Sequence, residues 1–215
     1  MSTKKEQTRL RLLDAARKLL VERGFHGVSL EDIAEAAGVS RQAVYKSHFG
    51  SKAELLLELV RHVHVAQNLD ELTRPVFEAP SSLEMLEATI VAIVRIEARV
   101  HDLGLVLSTA ALTDAGASAA WHDRLQIKRG VLQNALERVD ADGGFSPEWT
   151  ISEAVDILAA LVSVDTYHAL VVERGWQPEA LIARVWSVCQ RSLLVEPTHQ
   201  RVKSKPTPKR RRNTA

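Results

Sequence analysis

The residues best suited to chemistry lie in and just before one short polar stretch, SRQAVYKSHFGSK, at residues 40–52. An amide such as that of Gln42 donates and accepts hydrogen bonds, which matches the N6 and N7 groups of adenine in the major groove of DNA. A small residue such as Ala43 can approach a base edge or a thymine methyl group. The neighbouring hydroxyl, amino and imidazole groups suit phosphates, which position a protein on DNA without reading its sequence. A DNA-contacting surface is therefore predicted, with the candidate residues Ser29, Ser40, Arg41, Gln42, Ala43, Tyr45, Lys46, His48 and Lys52.

Other chemistries lack a matching pattern in the sequence. There is no Gly-rich phosphate loop, no Gly-x-Ser-x-Gly turn and no His-Glu-x-x-His pair, so neither catalysis nor a cofactor is predicted. His62 and His64 are two residues apart, which points them about 200° from each other on a helix. Helical zinc ligands are instead spaced by four residues, so no metal site is predicted. Cys189 is the only cysteine, which excludes an internal disulfide and favours a reducing cytoplasm.

The elements that must position the polar stretch are predicted to be short helices. Apolar residues recur with helical period over 4–23, which predicts a first helix that ends at Gly24. Ser29 is the predicted cap of a second helix over 30–37, and Ser40 caps a third helix that begins at residue 41. Because Gly38-Val39 provides a tight turn between the two short helices, the segment reads as a helix-turn-helix. In that motif the second helix enters the major groove.

The rest of the chain is also predicted to be helical, with almost no strand signals. Helical periodicity and caps predict further helices at about 52–64, 82–101, 103–112, 119–139, 147–173 and 178–194. The predicted fold is all-α, with about nine helices. Three parts are expected: a helix-turn-helix head at 1–49, a larger helical body at 50–196, and a basic tail at 197–215.

Charge is distributed unevenly along the chain. The net charge is +3 over residues 1–66, −9 over 67–196 and +7 over 197–215. A basic head and tail beside an acidic body suggest that only part of the molecule meets a polyanion. The tail is Pro-rich and basic and is expected to be disordered. It is predicted to add salt-dependent DNA affinity, with a solubilising terminus or an RNA contact as alternatives.

No run of about 18 apolar residues is apparent, so no membrane span is expected. The N-terminus lacks the uninterrupted apolar stretch and the small-residue cleavage site of a signal peptide. A cytoplasmic location without membrane contact is therefore expected.

Residues 9–57 resemble the TetR family of bacterial transcriptional regulators. The matching residues are Ala15-Ala16, Leu19-Leu20, Gly24-Phe25, Val28-Ser29, Asp32-Ile33-Ala34, Ala36 to Arg41, Tyr45, Phe49 and Ser51 to Leu56. The resemblance implies a DNA-binding head joined to a body that binds a small molecule. It also implies a homodimer, formed mostly by the last two helices, whose two recognition helices lie about 34 Å apart on a near-palindromic operator. Ligand in the body then changes that spacing and releases the DNA.

One departure from the family pattern affects the proposed DNA surface. The family places two residues between the aromatic residue and the phenylalanine, whereas three lie between Tyr45 and Phe49. One extra helical residue rotates everything after it by about 100°. A π-bulge or an irregular helix end is expected to absorb it.

Within the body, two groups of residues are candidates for binding. Polar-tipped and aromatic side chains could line a ligand pocket, although each is more often a core or surface residue. These are Arg95, Arg99, His101, Trp121, His122, Tyr167 and His168. The last two long helices fit a dimer interface, although they could instead pack on their own core. The interface candidates are Ile157, Leu161, Val164, Leu181 and Val185.

These observations favour a ligand-responsive transcriptional regulator, more a repressor than an activator. A constitutive DNA-binding architectural or partner-recruiting protein without a small ligand is the alternative, and it predicts a close-packed body. An all-α enzyme is a third and more remote reading, because the carboxylates and histidines do not cluster in the sequence.

Overall fold

The computed structural model describes residues 4–42, 44 and 49–195. In that part of the chain the regular structure is helical, apart from an isolated antiparallel bridge between Phe145 and Leu194. The all-α prediction is confirmed. The helices are α1 (Lys4–Arg23), α2 (Leu30–Ala36), α3 (Lys52–Ala66), α4 (Leu69–Glu78), α5 (Ser82–Ala110), α6 (Ala115–Ala141), α7 (Ile151–Leu161), α8 (Val164–Tyr167), which continues into a π-helical turn (His168–Glu173), and α9 (Pro178–Ser192).

The first two helices begin and end where their sequence signals lie. Gly24 follows α1 with φ of +71°, which is open to glycine without strain. Its amide donates to the Leu20 carbonyl at 2.9 Å and closes the helix. Ser29 caps α2 in a reciprocal box: its side chain accepts from the Asp32 amide, and the Asp32 carboxylate accepts from the Ser29 amide. Two otherwise unpaired amides at the helix start are thereby satisfied.

The structure differs from the predicted helices at two places in the middle of the chain. Helix α4 was not predicted, because its ten residues contain Pro75 and carry mixed charges. The two helices predicted at 82–101 and 103–112 form the single helix α5. The chain stays helical through residue 102, where the predicted helices were separated, and Gly104 lies inside α5 with Val164 close to it.

The helix predicted from 147 to 173 starts later and is interrupted. Thr150, not the residue before Pro147, is the cap, because Thr150 and Glu153 form a complete capping box. The helix then breaks at Val162, and Ser163 caps the short α8 by accepting from the Thr166 amide. Ala160 carbonyl accepts from the Thr166 hydroxyl at 2.8 Å, which fixes the break.

The buried apolar residues form two clusters, and the first of them joins the head to the body. It combines head residues such as Leu12 and Phe49 with Val100 to Ala110 of α5 and Ala117 and Ala120 of α6. The second cluster lies among the other halves of α5 and α6 and helices α7 to α9. No break in the core accompanies the predicted boundary between residues 49 and 50, so the three-part division stays a prediction.

Polar contacts add to the packing between head and body. Arg17 of α1 lies 3.4 Å from both carboxylate oxygens of Asp102 on α5. His26, in the loop after α1, is 2.7 Å from the Thr113 hydroxyl at the end of α5. The C-terminal half of α5 is thus attached to the head at two points, so a shift of this helix reaches the head directly.

One stretch, Ile151–Glu173, is long and apolar enough to cross a membrane by length and composition alone. The sequence reading did not identify it. In the structure it is broken at Val162 and Ser163, and only 28% of its apolar window is buried. Core and interface helices of soluble proteins have the same composition. The apolar side chains of this stretch that stay exposed belong to the dimer interface proposed below.

Candidate nucleic-acid interface and body site

The turn between α2 and the following segment has the geometry of a helix-turn-helix. Gly38 has φ of +66°, a conformation that other residues rarely adopt. The Val39 amide donates to the Ala34 carbonyl at 2.9 Å, and the Gly38 amide donates to the Glu35 carbonyl at 3.0 Å. These two bonds end α2 and direct the chain into the next helix. The predicted tight turn is confirmed.

The first residues after the turn carry the predicted DNA contacts that the structure describes. Ser40, Arg41 and Gln42 are exposed, whereas Val44 is buried in the head. Arg41 forms a 2.7 Å ion pair with Glu31 of α2, which holds its guanidinium beside the motif. The segment therefore presents a polar face outward on an apolar anchor. The candidates Ala43, Tyr45, Lys46 and His48 lie outside the described residues.

Two described residues, Val44 and Phe49, flank the extra residue. Val44 and Phe49 are both buried in the core of the head. The Phe49 amide donates to the Val44 carbonyl, five residues back, at 2.9 Å. An i to i+5 bond of this kind occurs in π turns and at irregular helix ends. The path of residues 45–48 between these two anchors lies outside the described residues, so the effect of the insertion stays a prediction.

Besides Arg41, which pairs with Glu31, two further predicted DNA-binding residues are engaged within the head. The Ser29 hydroxyl donates to the Asp32 carboxylate at 2.6 Å as part of the α2 cap. The Lys52 ammonium donates to the carbonyls of Phe25 and, at 2.7 Å, of Val28, and it lies 3.8 Å from the centroid of the Phe25 ring. Burial lowers the pKa of Lys52, while Asp114 and Asp32 oppose the shift. Both side chains thus hold the loop between α1 and α2.

A buried ion pair crosses the body between α5 and α6. Glu97 is 2% exposed at its side chain and accepts a hydrogen bond from the Lys128 ammonium at 2.8 Å. Lys128 also donates to the Val162 carbonyl at 3.2 Å, at the break after α7. Arg124 lies 3.8 Å from the same carboxylate oxygen of Glu97. The other oxygen, Oε2, is buried and has no hydrogen-bond partner in the described part of the chain.

Only part of the predicted ligand set lies near this ion pair. The rings of His101 and Tyr167 are 5.4 Å apart. Burial raises the pKa of Tyr167, and the negative charges of Glu179 and Glu97 raise it further. His168 adjoins Tyr167, and its buried Nδ1 has no partner among the described residues.

The remaining predicted ligand residues lie elsewhere. Arg95 is exposed, Arg99 donates to the Gln67 carbonyl, and His122 is exposed and bonded to Ser118 of its own helix. Trp121 packs against the core shared with the head. No arrangement of all seven candidates around one site is seen, and their ligand roles stay predictions.

The predicted dimer residues divide into two groups. Ile157 is 45% exposed and Leu161 is half-buried, as an interface requires. Val164, Leu181 and Val185 are at most 3% exposed because they point into the protomer's own core. The apolar spacing of these three residues indicated the face of α8 and α9 that packs on the protomer's own core. Their assignment to an intersubunit surface is therefore corrected.

Glu97, Lys128 and Arg124 were not among the predicted site residues, although the sequence carries a signal for two of them. Glu97 lies four residues after Ile93 and seven before Gly104, both buried on the inner stripe of α5. Lys128 lies four residues before the buried Leu132 of α6. A charged residue that is spaced three, four or seven residues from buried apolar residues lies on the same face of the helix and is buried with them. A buried charge requires a partner of opposite charge or a hydrogen-bond partner.

The sequence predicted neither a metal site nor a disulfide. The described residues contain no group of three or more His, Cys, Asp or Glu side chains placed to hold a metal ion. Cys189 is fully buried, and burial raises the pKa of its thiol to about 12. The thiol therefore stays protonated at neutral pH.

The head presents an exposed polar helix start directly after a glycine turn, and it shares a hydrophobic core with a helical body. This combination is that of a helix-turn-helix regulator. The pattern of bacterial regulatory proteins of the tetR family matches residues 12–59. The transcriptional repressor BepR of Brucella suis is 29% identical over 193 residues, which are 87% of this chain and 92% of that protein. The head of this chain is therefore that of the TetR family of bacterial transcriptional regulators, and the similarity to a repressor with such a head extends over most of the chain.

Two further likenesses differ in extent. The transcriptional activator FasR of Mycolicibacterium smegmatis is 43% identical over 60 residues, 27% of each chain. The crystal structure of a transcriptional regulator from Saccharomonospora viridis in complex with choline superposes with a TM-score of 0.70 at 21% identity. That match covers 87% of this chain and 98% of the other. The similarity to FasR is thus confined to about a quarter of the chain, whereas the fold is shared over 87% of it.

Proposed function

We propose that the protein is a transcriptional repressor that binds a near-palindromic operator as a homodimer and is released by a small-molecule ligand. The observation that carries the proposal is the exposed Ser40-Arg41-Gln42 face, held between the Gly38 turn and the buried Val44. A face of this size and polarity suits the major groove. Repression is favoured over activation because BepR, a repressor, matches over most of both chains. The activator FasR matches over about a quarter of each.

Dimerisation is supported by apolar surface that the protomer leaves uncovered. Ile157 of α7, Val172 of the π-helical turn and Val188 of α9 are 45%, 48% and 45% exposed. Exposed apolar surface on long helices is commonly a contact with another subunit. An inverted-repeat operator also requires two heads related by a two-fold axis. The proposed interface is therefore the outer side of α7 to α9, not its inner stripe.

Ligand control is supported by the way α5 connects the two parts of the molecule. Glu97 lies in the body, and Asp102, five residues later on the same helix, pairs with Arg17 of the head. A ligand that shifts α5 near Glu97 therefore moves the residue to which α1 is attached. Such coupling requires a ligand that binds one position of the helix more tightly than the other.

The test is selection of bound sequences from random duplex DNA by the purified full-length protein, at about 150 mM salt to suppress non-specific phosphate binding. The proposal predicts an enriched inverted repeat with half-sites about one helical turn, ~34 Å, apart. The variant Gln42→Ala should change the base preference at one position per half-site, since a bidentate contact contributes about 1–3 kcal/mol. Absence of enrichment, with binding that fades as salt rises, would instead indicate sequence-independent DNA binding.

The dimer requires its own experiment. Val188→Arg and Ile157→Arg place a charge on the proposed interface and should shift the protein to a monomer in sedimentation equilibrium. Val65→Arg is the matched control, because Val65 is 76% exposed on α3 and lies outside that surface. If all three variants sediment like the wild type, α7 to α9 do not form the interface.

A further inference from the structure

We propose that the ligand of the body is a neutral, largely apolar molecule with a hydroxyl group, and that this hydroxyl donates a hydrogen bond to Oε2 of Glu97. The inference deepens the proposed function and rests on it, since it names the class of ligand. It begins from the unpartnered Oε2 of Glu97, whose side chain is 2% exposed. A buried carboxylate oxygen without a donor is costly, and most buried polar atoms have one. A donor from a ligand would satisfy it.

The position of Oε2 indicates where the ligand would lie. A Cβ atom added to Gly104 would be 3.9 Å from Oε2 and 3.0 Å from Cγ2 of Val164. The free oxygen therefore faces the crossing of α5 with α8. The negative charge of Glu97 helps to raise the pKa of Tyr167 on α8, and the ring of Tyr167 is tilted against that of His101 at 5.4 Å. The described groups at this crossing thus include the apolar Val164, the ring of Tyr167 and the unpartnered Oε2 of Glu97.

The crossing can open without disrupting a long helix. Helix α8 has four residues, is separated from α7 by the break at Val162 and Ser163, and continues into a π-helical turn. Short helices between irregular segments move more readily than long ones, and π-helical turns often occur at functional sites. A shift of Val164 away from Gly104 would expose Oε2 while Lys128 keeps its bond to the Val162 carbonyl.

The charges around Glu97 select among ligand classes. The Lys128 ammonium already compensates the carboxylate at 2.8 Å, and the Arg124 guanidinium lies 3.8 Å from it. A cationic ligand would meet these two positive groups in a buried setting, where like charges repel strongly. An anionic ligand would meet the lone pairs of Oε2. A neutral hydroxyl avoids both penalties and supplies the missing donor.

The experiment compares four probes of one shape on the full-length protein by calorimetry. They are para-butylphenol, which has a hydroxyl donor, para-butylacetophenone, which has only an acceptor, para-butylbenzoate, an anion, and para-butylbenzylamine, a cation. We expect the phenol to bind the wild type at least about tenfold more tightly than each of the others, the size of effect that one buried hydrogen bond gives. Similar dissociation constants for all four, or no binding by any up to the solubility limit, would overturn the proposal.

A substitution of the acceptor makes the test specific to Glu97. In Glu97→Gln the side-chain amide can still accept from Lys128, and its NH₂ group replaces Oε2 with a donor. The preference should then switch by about tenfold toward the ketone, because a donor now faces the ligand. Glu87→Gln is the matched control, since Glu87 is exposed on the same helix, and it should keep the wild-type order. An unchanged order in Glu97→Gln would overturn the assignment of Oε2.

A second variant covers the case in which Glu97→Gln does not fold, since it leaves the Lys128 charge buried without a counter-charge. The double variant Glu97→Leu with Lys128→Met removes both charges, and it should bind phenol and ketone equally. Retained phenol preference in the double variant would overturn the proposal. The operator selection tests the proposed function separately. An enriched inverted repeat without a preference for the phenol would contradict only the proposed ligand class. A preference for the phenol without an enriched repeat would contradict the repressor function and support the ligand site.

Discussion

Lys52 was predicted to contact DNA, but its side chain stabilises the loop between α1 and α2. Its ammonium donates to two carbonyls of the loop after α1, those of Phe25 and Val28. We expect Lys52→Ala to lower the free energy of unfolding by about 1–3 kcal/mol, the range for hydrogen bonds to charged groups. The slope of log binding constant against log salt should stay the same, since no phosphate contact is lost. Chemical denaturation and DNA binding over a salt series measure the two quantities.

The control for Lys52 is Lys18→Ala on the exposed face of α1, which should change the stability by less than about 0.5 kcal/mol. A decrease of the salt slope by about one in Lys52→Ala, with unchanged stability, would restore Lys52 to the DNA surface.

At this scale the sequence supports only part of the site. Ser40 to Gln42 were identifiable because a cap, a turn and a polar run occur together, and the structure leaves them exposed. Glu97 was not identified, because its burial depends on which helices cover the inner side of α5. Val164, Leu181 and Val185 failed as interface residues for a similar reason: a helical apolar stripe shows that a face is covered but not by which subunit.

The crossing of α5 and α8 depends on the absence of a side chain at residue 104. A Cβ atom there would lie 3.0 Å from Val164 Cγ2. We therefore expect Gly104→Ala to destabilise the protein by about 1–2 kcal/mol, because overpacking costs more than the helix gains from alanine. Gly130→Ala on α6 meets no atom within 4 Å, and it should stabilise by about 0.5–1 kcal/mol. Thermal unfolding of both variants measures the difference.

The double variant Gly104→Ala with Val164→Ala removes the close methyl group and should recover part of the lost stability. If Gly104→Ala is as stable as Gly130→Ala, the two helices separate easily. The close approach would then not limit the site beside Glu97.

The cap of α2 makes the head sensitive to acid. Hydrogen bonds from the Ser29 side chain and then from the Ser29 backbone hold the pKa of Asp32 below its usual 3.8. Because the folded pKa is depressed, the stabilisation is present above pH 3.8 and is lost as the pH falls through the folded value. Asp32→Asn should therefore unfold at a lower temperature than the wild type at neutral pH, and the gap should close below pH 3.8. Asp123→Asn, exposed on α6, should show no such gap at either pH.

The helices themselves were largely predictable, and their interruptions were not. α1, α2, α3 and α9 begin at the predicted residues because caps, glycine stops and an N1 proline act locally. The break at Val162 and the continuity of α5 across residue 102 coincide with contacts between distant residues. Lys128 binds the Val162 carbonyl, and Val164 covers Gly104. Neither contact leaves a trace in local sequence.

At the scale of the whole molecule, the pair between Arg17 and Asp102 tests how the body controls the head. The pair is partly exposed, so its loss should change stability by less than about 1 kcal/mol. We expect Asp102→Asn to leave ligand binding and ligand-free operator binding nearly unchanged. The ratio of operator affinities without and with ligand should fall by about two- to fivefold, since coupling energies of about 1–3 kcal/mol are spread over several contacts. Fluorescence anisotropy of labelled operator measures that ratio, and an unchanged ratio would exclude this pair from the coupling.

The position of Val195 in the body determines where the basic tail begins. The Val195 amide donates to the Gly144 carbonyl at 3.0 Å, and the Ser146 amide donates to the Leu193 carbonyl at 2.8 Å. These bonds fix Val195 just after the C-terminal end of α6. The opposite end of α6 shares the core of the head through Ala117 and Ala120. A helix of 27 residues is about 40 Å long, so the tail starts about that far from the head.

Chain length then limits what the tail can do on the protein's own operator. The seventeen residues 196–212 reach about 60 Å when fully extended, and the proposed operator would lie beyond the head, a further helix diameter of about 10 Å. The basic run reaches the operator only when almost extended, which costs conformational entropy. We therefore expect deletion of 197–215 to change the salt slope of operator binding by less than about one, although seven engaged cations would contribute about six. A full-length variant with the seven tail cations changed to glutamine controls for length, and a slope reduced by several units in both proteins would show that the tail does bind the operator.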